Sequence, residues 1–319
     1  MSFSGNVKDE LADQWNPGRH CQIAEMAAIL SMIGEIVISG EKGQFLKIST
    51  ENIAVARKCF TLMKKTFNIK AETSVRRNPA KRSVLYSIII SRRSDIIRVL
   101  EAAKLLDKQA VSGGDLSVVP GVVVRQSCCK RSFIRGAFLA AGSMSNPERG
   151  YHFEIVCTTK EKAERLQGVI NSFQMDAKIV QRKKAYVVYL KEGAQIVDVL
   201  NIMEAHVALM ELENVRIVKE VRNRVNRKVN CETANINKTV SAAVKQRDDI
   251  IYLRDRIGFD RLSGGLREIA LVRLEYPDAT LKELGECLSP PVGKSGVNHR
   301  LRKLSEMAEK LRAEQGGRL

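Results

Sequence analysis

Apolar residues along this 319-residue chain recur with two periods, helical and strand-like, in alternation. Ile23 to Ile33 is an apolar helical stretch closed by Gly34. Two short runs follow, EIVIS and FLKIST, in which Phe45, Lys47 and Ser49 alternate with Leu46 and Ile48 as a half-buried strand requires. A helix is predicted over 52–66, then a hairpin of IKAETSVRR and SVLYSIIIS. The same order then returns. Phe133 to Ala141 is closed by Gly142, and HFEIVCT, a helix over 160–173, AKIVQRK and AYVVYL come after it. Gly34 and Gly142 are 108 positions apart, Phe67 and Phe173 106. A shared order at a nearly constant offset predicts two related α/β halves about a pseudo-twofold axis.

The last third of the chain has only the helical period. Residues 216–228 carry six basic residues and one acid, with Ile217, Val218, Val221 and Val225 at spacings of three and four, which predicts a basic amphipathic helix. A long helical pattern through Val240, Val244, Ile250, Ile251, Leu253 and Ile257 ends at Gly258. Three shorter helices are expected from Leu266. LREIALVRLEY stops before Pro277, and LKELGECL can be capped by Asp278 or Thr280; GKSGVNHRLRKLSEMAEKLR resumes after Pro290 and Pro291. Gly285 is small where two such helices must approach closely. In the last helix Val297, Leu301, Leu304 and Ala308 form one face. Ser295, His299 and Arg302 point the other way, flanked by Asn298 and Lys303. The stretch from Lys294 to Lys303, which includes Arg300, has four basic residues and no acid. A recognition helix needs this division between a face for its own domain and a face of Arg, Asn, Ser and His for base edges and phosphates. His299 has no local nucleophile or carboxylate partner for catalysis, which leaves a DNA contact or a solvated ring.

The expected architecture is α+β, with an N-terminal extension over 1–19 and a duplicated domain over 20–215 whose repeats span about 20–106 and 130–200. A basic linker helix over 216–229 and an all-α domain over 230–319 complete it. Composition adds a partner class. With 53 Lys and Arg against 36 Asp and Glu the net charge is +17, a field suited to a polyanion such as double-stranded DNA. Residues 216–319 hold 22 basic and 14 acidic side chains and the remainder is equally basic, so charge alone does not pick out the binding domain. The seven cysteines show no CxxC spacing, and with only His20, His152, His206 and His299 available no zinc site can be drawn; reduced, chemically quiet thiols and no cofactor are expected. No apolar run approaches a membrane span and the N-terminus lacks an apolar signal core, which predicts a cytoplasmic, nucleoid-associated protein.

Two stretches, MAAILSMIG (Met26–Gly34) and IRGAFLAAG (Ile134–Gly142), resemble the LAGLIDADG motif of homing endonucleases. The resemblance implies a duplicated αββαββα saddle in which two small-residue helices pack closely and an acid before each final Gly binds the catalytic metal. Here those positions hold Ile33 and Ala141, which cannot coordinate Mg²⁺. Glu35 sits one residue late, and its counterpart is Ser143. No catalytic residue and no metal ligand is therefore expected, and the chain reads as a binder rather than an enzyme. On the family's saddle, hairpins grip the duplex, so Arg76, Arg77 and Arg82 in one half and Arg182, Lys183 and Lys184 in the other are candidate phosphate contacts, or ordinary exposed turn residues.

RGAFLAAGS (Arg135–Ser143), CETANINKTV (Cys231–Val240) and LKELGECLSPPVGKSGVNHRLRKL (Leu281–Leu304) resemble the WhiA family of bacterial sporulation regulators over nearly the whole chain. That resemblance implies a degenerate LAGLIDADG-type domain joined to a helix-turn-helix, and roles in sporulation, transcription, cell division and chromosome segregation. The expected DNA-binding residues are Lys294, Ser295, Asn298, His299, Arg300, Arg302 and Lys303. Gly293 stands where Ser is expected as helix cap, at a cost of only a few tenths of a kcal/mol. Two other readings stay open: a nuclease with relocated acids, and a first domain that senses a nucleotide or docks a protein.

Overall fold

A computed structural model describes residues 2–39, 43–78, 83–106 and 113–316. The chain divides into two compact units, Met1–Lys219 and Glu220–Leu319.

The first unit opens with α1 (Phe3–Asp13), capped by the Ser2 hydroxyl, which accepts from the Gly5 N–H at 3.1 Å. Phe3, Val7 and Leu11 are buried in the main core, so the stretch expected as an extension is an integral helix. Then come α2 (Arg19–Ile33), β1 (Gly34–Ser39), β2 (Gly43–Thr50), α3 (Ile53–Phe67), β3 (Glu72–Asn78), β4 (Ser83–Ile90) and α4 (Arg93–Ala102). A two-residue strand β5 (Gly114–Asp115) and a short 3₁₀ turn (Gly121–Val124) lead to the second half. It consists of α5 (Ser127–Ala141), β6 (Gly142–Met144), β7 (Phe153–Cys157), α6 (Lys160–Asn171), β8 (Lys178–Arg182), β9 (Ala185–Leu190) and α7 (Gly193–Met203).

The duplication is visible in the sheets. Their antiparallel strand orders are β3-β4-β2-β1 and β8-β9-β7-β6, with β5 added beside β1 in the first. In each half αββαββα is complete. β6 and the closing helices α4 and α7 lie outside the elements that the periodicity predicts. The helices α2 and α5 pack against each other through small residues: a Cβ on Gly136 would lie 2.3 Å from the Glu25 carbonyl oxygen. Both helices end where the glycines stand. The N–H of Gly34 donates to Leu30 O and that of Gly142 to Phe138 O, and a side chain on Gly34 would come within 2.5 Å of Leu30 O.

Charged groups cross this central seam. Arg135, 1% exposed, lies with Nε 3.4 Å from Glu25 Oε1 and donates from Nη1 to Glu204 Oε2 at 2.6 Å and to Met203 O at 3.3 Å. Lys58 Nζ meets the same Glu25 oxygen at 3.4 Å and also donates to Gln14 O. Burial pushes the Glu25 carboxyl above its ordinary range, against the pull of Arg135 and Lys58. Burial likewise lowers Lys58.

Helix α8 (His206–Ile257) runs unbroken through the expected linker and past its expected end, because nothing in 216–230 breaks a helix; Gly258, at φ 74°, follows its last residue. Its first turn is capped from α1, where the Glu10 carboxylate accepts from the N–H groups of Val207 and Ala208 at 2.8 and 3.0 Å. The division between the units falls inside this helix.

The second unit adds α9 (Gly264–Glu275), α10 (Leu281–Glu286) and α11 (Lys294–Gly316). Ile250 and Leu253 of α8 join Leu266, Ile269, Leu284, Val297, Leu301 and Leu304 in a separate core. Arg273, 3% exposed, ties the unit together by donating to Gln246 Oε1 at 2.9 Å and Ala279 O at 2.6 Å.

Candidate nucleic-acid interface

The interface is built from α10, the turn after it and α11. Thr280, one of the two expected caps, forms a full capping box. Its hydroxyl accepts from the Glu283 N–H at 3.4 Å, and the Glu283 carboxylate accepts from the Thr280 N–H at 2.7 Å. Hydrogen bonds from Thr280 hold that carboxyl below its ordinary range. Gly285 then lets the chain fold back: its carbonyl accepts from the Val292 N–H at 3.0 Å, and a Cβ there would lie 2.0 Å from Val292 O. The Gly293 carbonyl accepts from Gly296 and Val297 as α11 begins.

On α11 the expected inner face is fully sealed, with Val297, Leu301, Leu304 and Ala308 at most 1% exposed. Lys294, Ser295, Asn298, His299, Arg302 and Lys303 are exposed. From Ser295 to Arg302 this polar face extends about 10 Å along the axis. Arg300 departs from the expected set. It is half-buried, with Nη1 donating to Gly265 O at 3.4 Å and lying 3.9 Å from Glu268, because its place on the helix turns it toward α9. Arg302 pairs with Glu306 one turn on at 3.1 Å. Both groups are exposed, so this pair is worth only about 0.3–0.5 kcal/mol and leaves Arg302 available for a stronger partner.

The candidate phosphate contacts of the first unit are placed differently from one another. Arg76 and Arg77 lie within β3, not in a turn, so they project to opposite faces of the sheet; Arg76 shares the face of Leu85 and Arg77 that of Val84. Arg82 lies outside the described residues. Arg182 is held by Glu154, to whose Oε2 it donates at 2.9 Å. The same carboxylate meets His152 Nε2 at 2.9 Å and, through Oε1, accepts from Ser143 at 3.1 Å. Burial alone would raise the Glu154 carboxyl, but the His152, Ser143 and Arg182 contacts leave it below its ordinary range. Lys183, at φ 55°, and Lys184 form the exposed two-residue turn between β8 and β9.

At the ends of α2 and α5, Ile33 and Ala141 occupy the last helical positions. Glu35 is exposed on β1, opposite Lys47 on one side and Asp115 on the other. Glu35 and Asp115 thus sit on strands and not at the helix ends. At the opposite ends of the same helices the sequence reading needs correction. His20, Cys21, Cys128 and Cys129 come together with their donor atoms within 4.8 Å of one another, so a four-ligand set can be drawn after all. Spacing rules missed it because the two dipeptides meet only through packing of the two halves. Burial, then the neighbouring Cys128 and Cys129, push the Cys21 thiol up to about 12, and burial raises Cys129.

This arrangement defines a class: a duplicated LAGLIDADG-like scaffold whose helix-end acids are replaced, joined to a helix-turn-helix unit. Family models described as the WhiA N-terminal LAGLIDADG-like domain, the WhiA LAGLIDADG-like domain and the WhiA C-terminal HTH domain match residues 19–106, 130–222 and 225–308. A protein named "Probable cell division protein WhiA" from Lachnoclostridium phytofermentans is 56% identical over 98% of this chain and 100% of its own length. One of the same name from Alkaliphilus oremlandii is 51% identical over 98% of each chain. The crystal structure of full-length WhiA from Thermatoga maritima matches 97% of this chain and 99% of its own with a TM-score of 0.57 at 23% identity, a likeness of fold. The chain belongs to the WhiA family.

Proposed function

We propose that the chain is a sequence-specific DNA-binding transcriptional regulator that reads double-stranded DNA with α11. The observation that carries this reading is the two-sided character of α11. Its sealed apolar side fixes the helix on its own unit, while Lys294, Ser295, Asn298, His299, Arg302 and Lys303 stand exposed on the other. Asn298 and Arg302 are suited to bidentate contacts, Asn with adenine and Arg with guanine; Ser295 and His299 extend the reading face. Lys294 and Lys303 suit phosphates, which position without specifying. Arg300 acts indirectly, by fixing α11 against α9.

In the first unit, Arg76, Lys183 and Lys184 add phosphate contacts. A protein partner or a nucleotide is the alternative occupant of that unit, whose sheets have no helix-end acids for a cleavage reaction. The cellular role is regulation of genes for cell division and, in sporulating hosts, for sporulation and chromosome segregation, with the protein on the nucleoid. The names of the relatives support the division role. In vitro selection of duplexes from a random pool with the full chain tests the reading. A single enriched motif with salt-dependent affinity is expected, since each phosphate neutralised contributes about −0.9 to the slope of log K against log salt. A pool that stays random after repeated rounds would exclude it.

A further inference from the structure

We propose that His20, Cys21, Cys128 and Cys129 form a structural zinc site that clamps the N-terminal ends of the two central helices to each other. The residues follow the pseudo-twofold symmetry of the scaffold. His20 and Cys21 are the second and third residues of α2; Cys128 and Cys129 are the second and third of α5. Each pair is offset by 108 positions, the offset that relates Gly34 to Gly142 at the other ends of the same helices. Each half therefore supplies two donors from equivalent places.

The geometry suits a tetrahedral ion. His20 Nδ1 is 3.2 Å from Cys21 Sγ and 3.2 Å from Cys129 Sγ, and all four donor atoms fall within 4.8 Å of one another. Around tetrahedral zinc, with its bonds of about 2.0–2.3 Å, donors are separated by roughly 3.5–3.8 Å, so small side-chain adjustments would seat the ion. Three sulfurs and one imidazole favour zinc over magnesium or calcium, which take oxygen ligands.

The surroundings support a closed structural site with an entry path. Cys21 and Cys129 are buried beside Ala24 and Val123, while His20 is exposed and borders, with Cys129, a cleft of about 270 Å³. Four ligands from the protein leave no open position for a substrate, so the ion would stabilise the scaffold. It would do so at the end opposite the replaced acids, tying together halves that otherwise associate by packing and by the Glu25 and Arg135 contacts.

The test is metal binding by the full-length chain, stripped of metal under reducing conditions. Zinc titrated against a chromogenic chelator should bind with a stoichiometry of one. Cobalt in its place should give a thiolate charge-transfer band and the strong visible bands of a tetrahedral site. Zinc should also raise the Tm followed by Trp15 fluorescence. Binding should be lost in Cys128→Ser and Cys129→Ser and kept in Cys231→Ser and Cys287→Ser, whose thiols are exposed in the other unit. The wild-type spectrum settles the matter even where a cluster variant fails to fold. No zinc retained against the chelator and no cobalt–thiolate band would overturn the proposal, as would one zinc per chain still held by the Cys128→Ser, Cys129→Ser double variant. A disulfide from Cys21 to Cys128 or Cys129 in protein purified without oxidant would also overturn it.

Discussion

Replacing Arg135 with Leu tests whether the buried charges hold the central seam. The change removes the 2.6 Å bond to Glu204 and the contacts to Met203 O and Glu25, and leaves Glu25, 1% exposed, with Lys58 as its remaining cation. Breaking a buried pair from one side costs about 3–5 kcal/mol, because the orphaned charge stays behind. At about 3 °C per kcal/mol for a unit of this size, the Tm should fall by roughly 10–15 °C. The single tryptophan, Trp15, is an internal reporter for the first unit: Lys58 Nζ lies 4.5 Å from its ring centroid. Urea unfolding followed by Trp15 fluorescence measures the loss. Adding Glu25→Gln to Arg135→Leu should not recover it, since Lys58, buried against the same carboxylate at 3.4 Å, then loses its own partner. An Arg135→Leu protein within about 1 kcal/mol of wild type, or a double variant restored to wild-type stability, would refute the reasoning.

Gly285→Ala should cost at least about 1–3 kcal/mol in the second unit, since its Cβ would lie 2.0 Å from the Val292 carbonyl oxygen, and DNA affinity should fall with it; thermal unfolding and a binding titration check both. The Glu283 carboxylate, held below its ordinary range by Thr280, stabilises α10 above the unfolded pKa of about 4.3, and this contribution fades as pH falls through the lower folded value. The stability difference between wild type and Glu283→Gln should therefore be present at neutral pH and vanish on acidification in urea titrations. The pure chain should not nick supercoiled plasmid with Mg²⁺, because Ile33 and Ala141 stand at the helix ends; reproducible nicking lost in Glu35→Gln would reverse this expectation.

The duplicated scaffold is legible in the chain because its main elements are long, periodic and stopped by glycine. Gly34 and Gly142 mark the ends of the seam, and Gly285 marks the tight approach before α11. Elements set by tertiary context are harder to read. The short strand β6 has three residues and no period to detect, whereas Phe3, Val7 and Leu11 of α1 keep a helical spacing behind the Ser2 cap, and what the chain does not show is the core they enter. Charged residues in the seam are equally silent: Arg135 on an apolar helix finds Glu25 and Glu204 only after folding, and Arg300 turns inward while its neighbours face solvent. The cysteine cluster leaves a trace of another kind. Zinc rules ask for ligands a few residues apart, whereas here the signal is that 20 and 128, and 21 and 129, share the offset of the repeat. The donors of one half superimpose on those of the other under the duplication, and that is the trace the sequence carries.

The central claim is that α11 reads sequence and the first unit at most grips the backbone. Competition binding measures this directly, with the selected duplex set against a scrambled one for wild type, Arg302→Ala, Asn298→Ala and a triple variant of Arg76, Lys183 and Lys184 to alanine. Loss of one good base contact removes about 1–3 kcal/mol of discrimination, so each α11 variant should bind the selected duplex roughly 5- to 150-fold more weakly than wild type while its binding to the scrambled duplex changes much less. The triple variant should weaken both duplexes equally and flatten the salt slope. Preference lost in the triple variant and undiminished in Arg302→Ala and Asn298→Ala would contradict the account and move the reading surface to the first unit.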